Sequence, residues 1–489
     1  MIGGILLLIT LRILAIYIIP PIYDEMVQIC IGDDIAHFSR FPIYFYGQQY
    51  MGPLESYFFA PFFRFWGSSL IAARFYYEFF YLSFLALSLW AVRQLFGREL
   101  VSHVLLLLSV LPFPALFFTT VINYGEILAF SALSLVLLLK ISEGGKTPRG
   151  QTLFLGLSSG LAFWCNPIFI IWLIPLGMIL LLIPSGWKKG IPWLFGAGFL
   201  VGLFPIWIHG LRTGTLMSLE GAGGGGFAQS KDIARVFYLF FARMKYFLST
   251  FSSDAPPPFL NIFIRYLSLV PFTLFAISFG AVLFYFLRSF PSLTLQKKIF
   301  YIFTLAPPFL LAASYSLRNL TTDEGIRFFL PLLFPYAFSI SWWVGQFRSP
   351  VWKKVILGIL VSVLLACSFI SMKAQFLITS NYRGLTRFLE QKGLSSGVAD
   401  MRVAYALNAL SRNKILATPV PKEARCQPIL SRVREKGAQF LILEHADPRF
   451  RKELETDRHL TKISLSGYDI FYGPSKLLQK IVEQDIIPT

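Results

Sequence analysis

Charged residues are scarce in this chain, and acidic residues are the scarcest of them. Only 14% of the 489 residues are Asp, Glu, Lys or Arg, whereas ordinary soluble domains contain about 25%. The acids number 26 against 44 Lys and Arg, and hydrophobic residues make up 55% of the chain. Repeated apolar runs of about twenty residues exclude a string of soluble domains. These proportions predict an integral membrane protein.

Cysteine and histidine are also rare, with four and five copies. Cys165 and Cys367 lie in apolar runs and are predicted to be packing residues. Cys30 and Cys426 are too isolated to suggest a disulfide framework. The histidines have no second ligand three or four residues further on, so we expect no cofactor and no dedicated metal site. A loose divalent-cation site built from Asp33, Asp34 and His37 stays open.

Eleven apolar runs are predicted to cross the membrane as helices, which makes the fold an all-α polytopic membrane bundle. The runs lie near residues 2–20, 69–92, 100–119, 126–141, 151–165, 167–184, 191–209, 259–287, 297–316, 327–346 and 352–372. The first run contains one charge, Arg12, and lacks an A-x-A-like cleavage site. A retained helix is therefore favoured over a cleaved signal peptide.

Five loops on one side of this bundle are rich in basic residues and poor in acids. They contain Arg93 and Arg98; Lys140, Lys146 and Arg149; Lys188 and Lys189; Arg288, Lys297 and Lys298; and Arg348, Lys353 and Lys354. Because basic loops stay in the cytoplasm, we predict a plasma (inner) membrane protein with a cytoplasmic N-terminus. Residues 21–68, 210–258 and 317–326, and everything after about residue 373, are then predicted to lie outside.

The tail, which runs from about residue 380 to residue 489, is more charged than the rest of the chain and contains no further apolar span. The segments GVAD, MRVAYALNAL and KILAT suggest strand, helix and strand, and KEARCQPILSRVREKGA followed by QFLILE repeats the alternation. We therefore predict a transmembrane domain over residues 1–375 and a small extracytoplasmic α/β domain over residues 380–489. Asp400 stands where a strand passes into a helix, so we expect it to cap that helix.

Carboxylates collect on the predicted outer side. Asp24 and Glu25 follow the first helix directly, and Glu55 and Glu126, in YMGPLES and NYGEILAF, can return to the same surface. Glu126 begins an otherwise apolar span, and an ionisable residue at such depth usually faces a cavity or a site. Each acid alone is an ordinary interface residue, but together they suggest a catalytic centre.

Basic residues are predicted on the same side, namely Lys231, Arg235, Arg243, Lys245, Arg318 and Arg327. A carboxylate can take the proton from an incoming hydroxyl or amine, and cations stabilise the charge on a leaving phosphate. A lipid-phosphate sugar presents its head at this interface. One base is enough for inversion at the anomeric carbon, by analogy with inverting glycoside hydrolysis.

The first outer loop contains further candidate binding residues. Tyr44, Tyr46 and Tyr50, with Gln48 and Gln49, offer aromatic faces and amides that suit a sugar ring, and Glu55 is assigned with them to sugar or acceptor. The segment GPLESYFFAPFFRFWG suits a helix lying in the membrane interface. A loop packed on the bundle explains the same segment equally well.

A set of motifs carries a family resemblance. They are YDE, RFPIYFYGQQYMGPLESYFFAPFFRFWG, NYGEILAF, GLAFWCNP, GIRFFLPLLFPY and GVADMRVAYALNALSRNKILATP, spread from residue 21 to about residue 420. Together they resemble the polyprenyl-phosphate-sugar-dependent glycosyltransferases of the GT-C fold. Within that group the chain is similar to the bacterial and archaeal relatives of protein O-mannosyltransferases and lipid A aminoarabinose transferases.

The resemblance implies an inverting transfer of a single sugar, at an extracytoplasmic site, from a donor such as undecaprenyl- or dolichyl-phosphate sugar. It implies Asp24 as the base, with Glu25 and Glu126 as its supporting acids. Arg327 in GIRFF then binds the lipid phosphate, together with Lys245 or Arg243. A lipid, a glycan and a protein all remain open as acceptors, and no nucleic acid is expected. The competing hypothesis is a transporter or flippase of lipid-linked sugars that performs no transfer. A third hypothesis is a polymerase or ligase of lipid-linked glycans, which moves an oligosaccharide.

Overall fold

The computed structural model describes residues 2–121, 124–143, 148–183, 190–217, 240–245, 247–248, 269–317, 323–420, 423–444 and 451–483. Most of the predicted outer loop 210–258, with Lys231 and Arg235, lies outside these residues, and so does Arg318. The chain divides into two compact units. The first contains Met1–Ile16, Gln48–Gly52 and Tyr77–Met372, and the second contains Tyr17–Gly47, Pro53–Tyr76 and Lys373–Thr489.

Helices dominate the described chain. They are α1 (Ile2–Ile18), α2 (Tyr23–Ala36), α3 (Leu54–Trp66), α4 (Leu70–Phe96), α5 (Arg98–Ser109), α6 (Phe113–Val121), α7 (Tyr124–Ser142), α8 (Pro148–Cys165), α9 (Ile170–Leu182), α10 (Ile191–Gly202), α11 (Phe204–Thr213), α12 (Leu269–Ser289), α13 (Leu295–Leu317), α14 (Leu333–Gly345) and α15 (Pro350–Gln391). Each of the eleven predicted runs therefore contains helix.

Fewer of these helices are long and apolar enough to cross a membrane alone. Among the described residues five pass that test, and up to eight do if each of three bent pairs counts as one span. The pair α5 and α6 bends by 77°, and the pair α10 and α11 by 52°. Proline beside each break explains the bends, because it cannot continue the helical hydrogen bonds. Several spans are thus present, and the count of eleven stays a prediction.

Small residues allow α8 and α10 of the first unit to pack closely. Gly156 and Gly160 of α8 are four residues apart, as are Gly198 and Gly202 of α10. A Cβ on Gly160 would lie 2.3 Å from the carbonyl oxygen of Phe199, and the other three glycines face similarly close backbone oxygens. This small-xxx-small pattern replaces hydrophobic burial as the means of joining helices inside a lipid bilayer.

Arg12, the one charge in α1, is buried in the first unit among polar partners. Its Nε donates to Glu78 Oε2 at 2.5 Å, and its Nη1 donates to the Thr119 hydroxyl at 2.7 Å. The guanidinium also lies 4.1 Å from the ring centroid of Tyr81. A charge within an apolar helix is tolerated when it is paired in this way.

The second unit contains a five-stranded sheet. Its strands are β1 (Ser396–Ala399), β2 (Leu416–Thr418), β3 (Phe440–Glu444), β4 (Thr461–Leu465) and β5 (Tyr468–Tyr472), in the order β2-β1-β3-β5-β4. Strands β2, β1 and β3 run parallel, β5 pairs antiparallel with β3, and β4 pairs antiparallel with β5. The helices of the tail are α16 (Met401–Leu410), α17 (Gln427–Lys436), α18 (Arg451–Thr456) and α19 (Lys476–Glu483).

The strand and helix alternation predicted over residues 397–444 is therefore present. Asp400 caps α16 as expected, since its carboxylate accepts from the Arg402 N–H at 3.0 Å. Helix α15 continues beyond the predicted end of the last span, and Leu385 and Leu389 belong to the buried core that includes Phe440 of the sheet. The predicted domain boundary at residues 375–380 stays a prediction.

The segment predicted as an interfacial helix or a packed loop is helix α3. Its Phe59 and Phe63 are buried, and a Cβ on Gly32 of α2 would lie 2.3 Å from the Phe59 ring. Glycine at position 32 thus lets α2 and α3 pack directly together. Four large apolar side chains of α3 remain exposed, namely Phe58, Phe62, Phe65 and Trp66. An exposed apolar face suits an interface helix, and that location stays a prediction.

Candidate active site

Helix α2 places the first two candidate acids. Pro20 and Pro21 follow α1, and helical backbone resumes at Tyr23 behind the extended residue Ile22. Asp24 and Glu25 therefore occupy the first turn of α2. Carboxylates are favourable there because the unpaired N–H groups of a helix start carry partial positive charge.

Asp24 is buried and forms an ion pair with an arginine of the tail. Nη1 of Arg425 donates to Asp24 Oδ1 at 3.0 Å, and both residues belong to the second unit. The same guanidinium lies 5.0 Å from the ring centroid of Tyr23, the residue before Asp24. The predicted base is thus a carboxylate with a cation in direct contact.

Glu25 has a different partner. Its carboxylate accepts two hydrogen bonds from Arg74, at 2.7 Å from Nε and 2.8 Å from Nη2, and neither side chain is accessible to solvent by more than 1%. Arg74 also donates to the carbonyl oxygens of Ile19 and Pro20 at 2.8 and 3.2 Å. This geometry is that of a positioning residue that fixes the start of α2, and the supporting catalytic role of Glu25 stays a prediction.

Cys30 and Cys426, which are too isolated in the sequence to suggest a disulfide framework, form a disulfide. The two residues are bonded, with their Cα atoms 6.3 Å apart. They are separated by 396 residues in sequence, so nothing in the local spacing indicates the pair. The other two cysteines, Cys165 and Cys367, are reduced and buried, in agreement with a packing role.

The Tyr405 hydroxyl supports the segment that carries Arg425. This oxygen accepts from the backbone N–H of Arg425 at 3.2 Å and from that of Cys426 at 3.3 Å. Tyr405 lies on α16 and is buried. Backbone donors in a protein interior need such partners, so the tyrosine fixes the path of the chain beside the disulfide.

Tyr46, in the loop after α2, is hydrogen-bonded to Asp34 of that helix. The Tyr46 hydroxyl donates to Asp34 Oδ2 at 2.5 Å, and the Ser39 hydroxyl donates to Asp34 Oδ1 at 3.0 Å. Burial, followed by the hydrogen bond to Asp34, raises the pKa of Tyr46. His37 lies 3.5 Å from Asp33 Oδ1. No group of three or more metal-ligating side chains occurs among the residues described. The loose divalent-cation site of Asp33, Asp34 and His37 stays a prediction.

Glu55 lies in the first turn of α3 and is inaccessible to solvent. Burial raises the pKa of Glu55 well above its usual range, and the Gln28 amide offsets part of this rise. A carboxyl group in this setting favours its neutral form. Its predicted role in sugar or acceptor binding stays a prediction.

The remaining predicted site residues, apart from Tyr44, belong to the first unit. Glu126 is buried in the first turn of α7. Arg327 lies in the 3₁₀ segment Asp323–Leu332, with its guanidinium 5.5 Å from the Phe328 ring centroid. Arg243 and Lys245 share the helical stretch 240–245. Of the loop residues, Gln48 and Tyr50 are buried and Gln49 is exposed, whereas Tyr44 is buried in the second unit.

Sequence reasoning missed both arginines that bind the two adjacent acids. Arg74 lies in IAARFYYE, near the start of an apolar run, and Arg425 lies in KEARCQP. Neither stretch has a motif that marks it as functional. The signal lies in the fold, which brings Arg425 to a residue 401 positions earlier in the chain.

No family model matches the sequence, and no curated protein matches it. Among solved structures the chain is similar to ArnT from Cupriavidus metallidurans in the apo state, at 10% identity over 97% of this chain and 99% of that chain, with a TM-score of 0.48. The same protein bound to undecaprenyl phosphate gives 10% identity, coverage of 97% and 98%, and a TM-score of 0.49.

A second similar protein is the archaeal oligosaccharyltransferase AglB from Archaeoglobus fulgidus, in complex with an inhibitory peptide and a dolichol-phosphate. The identity is 10%, the coverage is 97% of this chain and 74% of that chain, and the TM-score is 0.47. At TM-scores below 0.5 these likenesses assign no activity to this chain.

Proposed function

We propose that this protein is an inverting glycosyltransferase that moves a single sugar from a polyprenyl-phosphate donor to an acceptor at the extracytoplasmic face of the membrane. The observation that carries the proposal is the setting of Asp24. It is a buried carboxylate in the first turn of α2, with a guanidinium 3.0 Å from its Oδ1. A carboxylate fixed in this way at the end of an apolar helix suits a general base better than a passive surface residue.

The reaction needs one proton transfer and one displacement. Asp24 accepts the proton of the acceptor hydroxyl or amine, and the acceptor atom forms a bond to the anomeric carbon of the sugar. The bond from that carbon to the phosphate oxygen breaks with its electron pair, and polyprenyl phosphate leaves as the anion. Because attack and departure occur on opposite faces, the anomeric configuration inverts.

The disulfide supports the proposed location of the chemistry. Disulfides persist in oxidising compartments outside the cytosol, and Cys30 lies six residues after Asp24 on α2. The bond therefore supports an extracytoplasmic position for α2 and for the tail that contains Cys426. The charges of the loops predict the same side.

The other assignments are predictions that accompany this proposal. Glu25 and Glu126 are the acids that support the base, and Arg327 with Arg243 or Lys245 binds the donor phosphate. Cations are needed there because charge accumulates on the leaving oxygen in the transition state.

The test is release of free polyprenyl phosphate by the purified protein in nanodiscs. The protein is given a panel of polyprenyl-phosphate sugars and an acceptor-rich membrane extract, with Asp24→Asn beside the wild type. Loss of a general base lowers such rates by about 100-fold to 10,000-fold, and we expect a loss in this range. Asp457→Asn, the same change at a half-buried residue of the tail, is the matched control and should retain the wild-type rate.

Two results would contradict the proposal. If folded Asp24→Asn protein releases lipid phosphate as fast as the wild type, Asp24 is not the base. If the wild type releases none from any donor while sugar-loaded lipid crosses the bilayer of protein-containing vesicles, the protein is a flippase and performs no transfer.

A further inference from the structure

The residues Arg425 and Cys426 are adjacent in the tail, and both engage α2. Arg425 bonds Asp24 at the start of that helix, and Cys426 is covalently joined to Cys30 six residues further along. Six helical residues correspond to about 9 Å of rise. Two neighbouring residues of the tail therefore bind α2 at two separate points along its axis. A covalent bond one residue away limits how far the Arg425 backbone can move from Asp24.

The Arg425 side chain is held from further directions. Its guanidinium lies over the Tyr23 ring at 5.0 Å, within the range of a cation–π interaction. Tyr405 accepts the Arg425 backbone N–H. Gly47 lies against its aliphatic part, where an added Cβ would be 3.2 Å from Arg425 Cγ. The loop, α2 and α16 thus fix the orientation of one arginine, which in turn orients one carboxylate oxygen.

We infer that Arg425 is a positioning residue for the base, held beside Asp24 by the Cys30–Cys426 disulfide, so that the tail forms part of the acceptor side of the catalytic centre. This inference depends on the proposed function. In an inverting displacement the base contacts the acceptor, and the leaving phosphate departs from the opposite face of the sugar. A guanidinium in contact with Asp24 therefore lies on the acceptor side and is separate from the cations that bind the phosphate.

The partial exposure of Arg425 fits this assignment. A quarter of its side chain is accessible to solvent, against a tenth of that of Asp24. A purely structural arginine of this chain, Arg74, is 1% accessible and has both ends of its guanidinium bonded in the interior. Arg425 instead stands at an accessible edge, where an acceptor can approach the base.

The experiment measures release of polyprenyl phosphate by Arg425→Ala protein and its response to added guanidinium ion. Displacing a reacting group by about 1 Å can cost 100-fold in rate, so we expect kcat to fall by about 10- to 100-fold while KM for the lipid donor changes by less than about twofold. Guanidinium at tens of millimolar should restore part of kcat, and urea at the same concentration should not. Arg425→Lys should retain more activity than Arg425→Ala.

The control is Arg402→Ala, which removes an exposed arginine from α16 in the same unit. It should retain the wild-type rate and show no response to guanidinium. If Arg425→Ala protein has the wild-type kcat, the inference is wrong. The proposed function is tested separately by Asp24→Asn, so the two failures can be distinguished. A fall in kcat that guanidinium leaves unchanged, accompanied by a lower melting temperature, would also overturn the inference, since that result indicates a structural role.

A second arm tests the disulfide. Cys30→Ser/Cys426→Ser protein should lose activity to a similar extent as Arg425→Ala, because both changes release the same side chain. Combining the changes should cost little more than either alone, since residues that act as a unit are not additive. Multiplied losses in the combined variant would show that the disulfide does not act through Arg425 and would overturn that part of the inference.

Discussion

The pair formed by Glu25 and Arg74 allows a quantitative prediction for Glu25→Gln. Both side chains are inaccessible, and two hydrogen bonds of 2.7 and 2.8 Å join the charged groups. Glutamine keeps the size of the side chain but removes the charge and turns one acceptor into a donor that faces Arg74. Hydrogen bonds to charged groups contribute about 1.5–3 kcal/mol each, and breaking a buried ion pair costs about 3–5 kcal/mol. We therefore expect the free energy of unfolding to fall by about 3–5 kcal/mol.

The matched control is Glu99→Gln. Glu99 pairs with Lys353 at 2.6 Å, but 68% of its side chain is exposed. Exposed pairs contribute at most about 1 kcal/mol, so the identical chemical change should have little effect there. The assay is denaturant unfolding in detergent, followed by tryptophan fluorescence with the disulfide kept oxidised.

The result that refutes the reasoning is equal destabilisation by the two variants. A further check replaces both partners. Glu25→Met combined with Arg74→Met removes both buried charges and should cost less than Glu25→Gln, since an uncompensated charge is worse than none. The free energy of unfolding should still be below that of the wild type, because Arg74 also donates hydrogen bonds to the carbonyl oxygens of Ile19 and Pro20.

Two more predictions concern packing. Gly160→Ala should lower the melting temperature in detergent, since its Cβ would lie 2.3 Å from the Phe199 carbonyl oxygen. The control, Gly196→Ala on the same helix pair, adds a Cβ that meets nothing within 4 Å and should leave the melting temperature unchanged. Equal melting temperatures of the two variants would contradict close packing. Asn408→Ala should destabilise the tail by about 1–3 kcal/mol, because Asn408 bonds both the N–H and the carbonyl oxygen of Ala417. Unchanged hydrogen exchange over residues 396–418 would contradict this.

The sequence predicts the helices well because each apolar run must satisfy its own backbone hydrogen bonds inside a bilayer. The run that becomes α7, for example, is recognisable from composition alone. The bends between α5 and α6 and between α10 and α11 are harder to predict. A proline at a helix end is compatible both with a bend inside one span and with a boundary between two spans. The first three strands of the tail are predicted from the sequence, whereas β4 and β5 are not. The continuation of α15 into the core of the tail is not predicted either, because packing determines it.

The candidate site shows where local sequence stops being informative. Asp24 and Glu25 look equivalent in YDE, and both are predicted to serve the chemistry. On a helix, however, adjacent side chains point about 100° apart, and here that angle directs Asp24 to Arg425 and Glu25 to Arg74. One acid thus lies beside a partly accessible arginine, and the other is buried in the framework. Partners decide which carboxylate can meet a substrate, and both partners lie too far along the chain for any motif to reveal them.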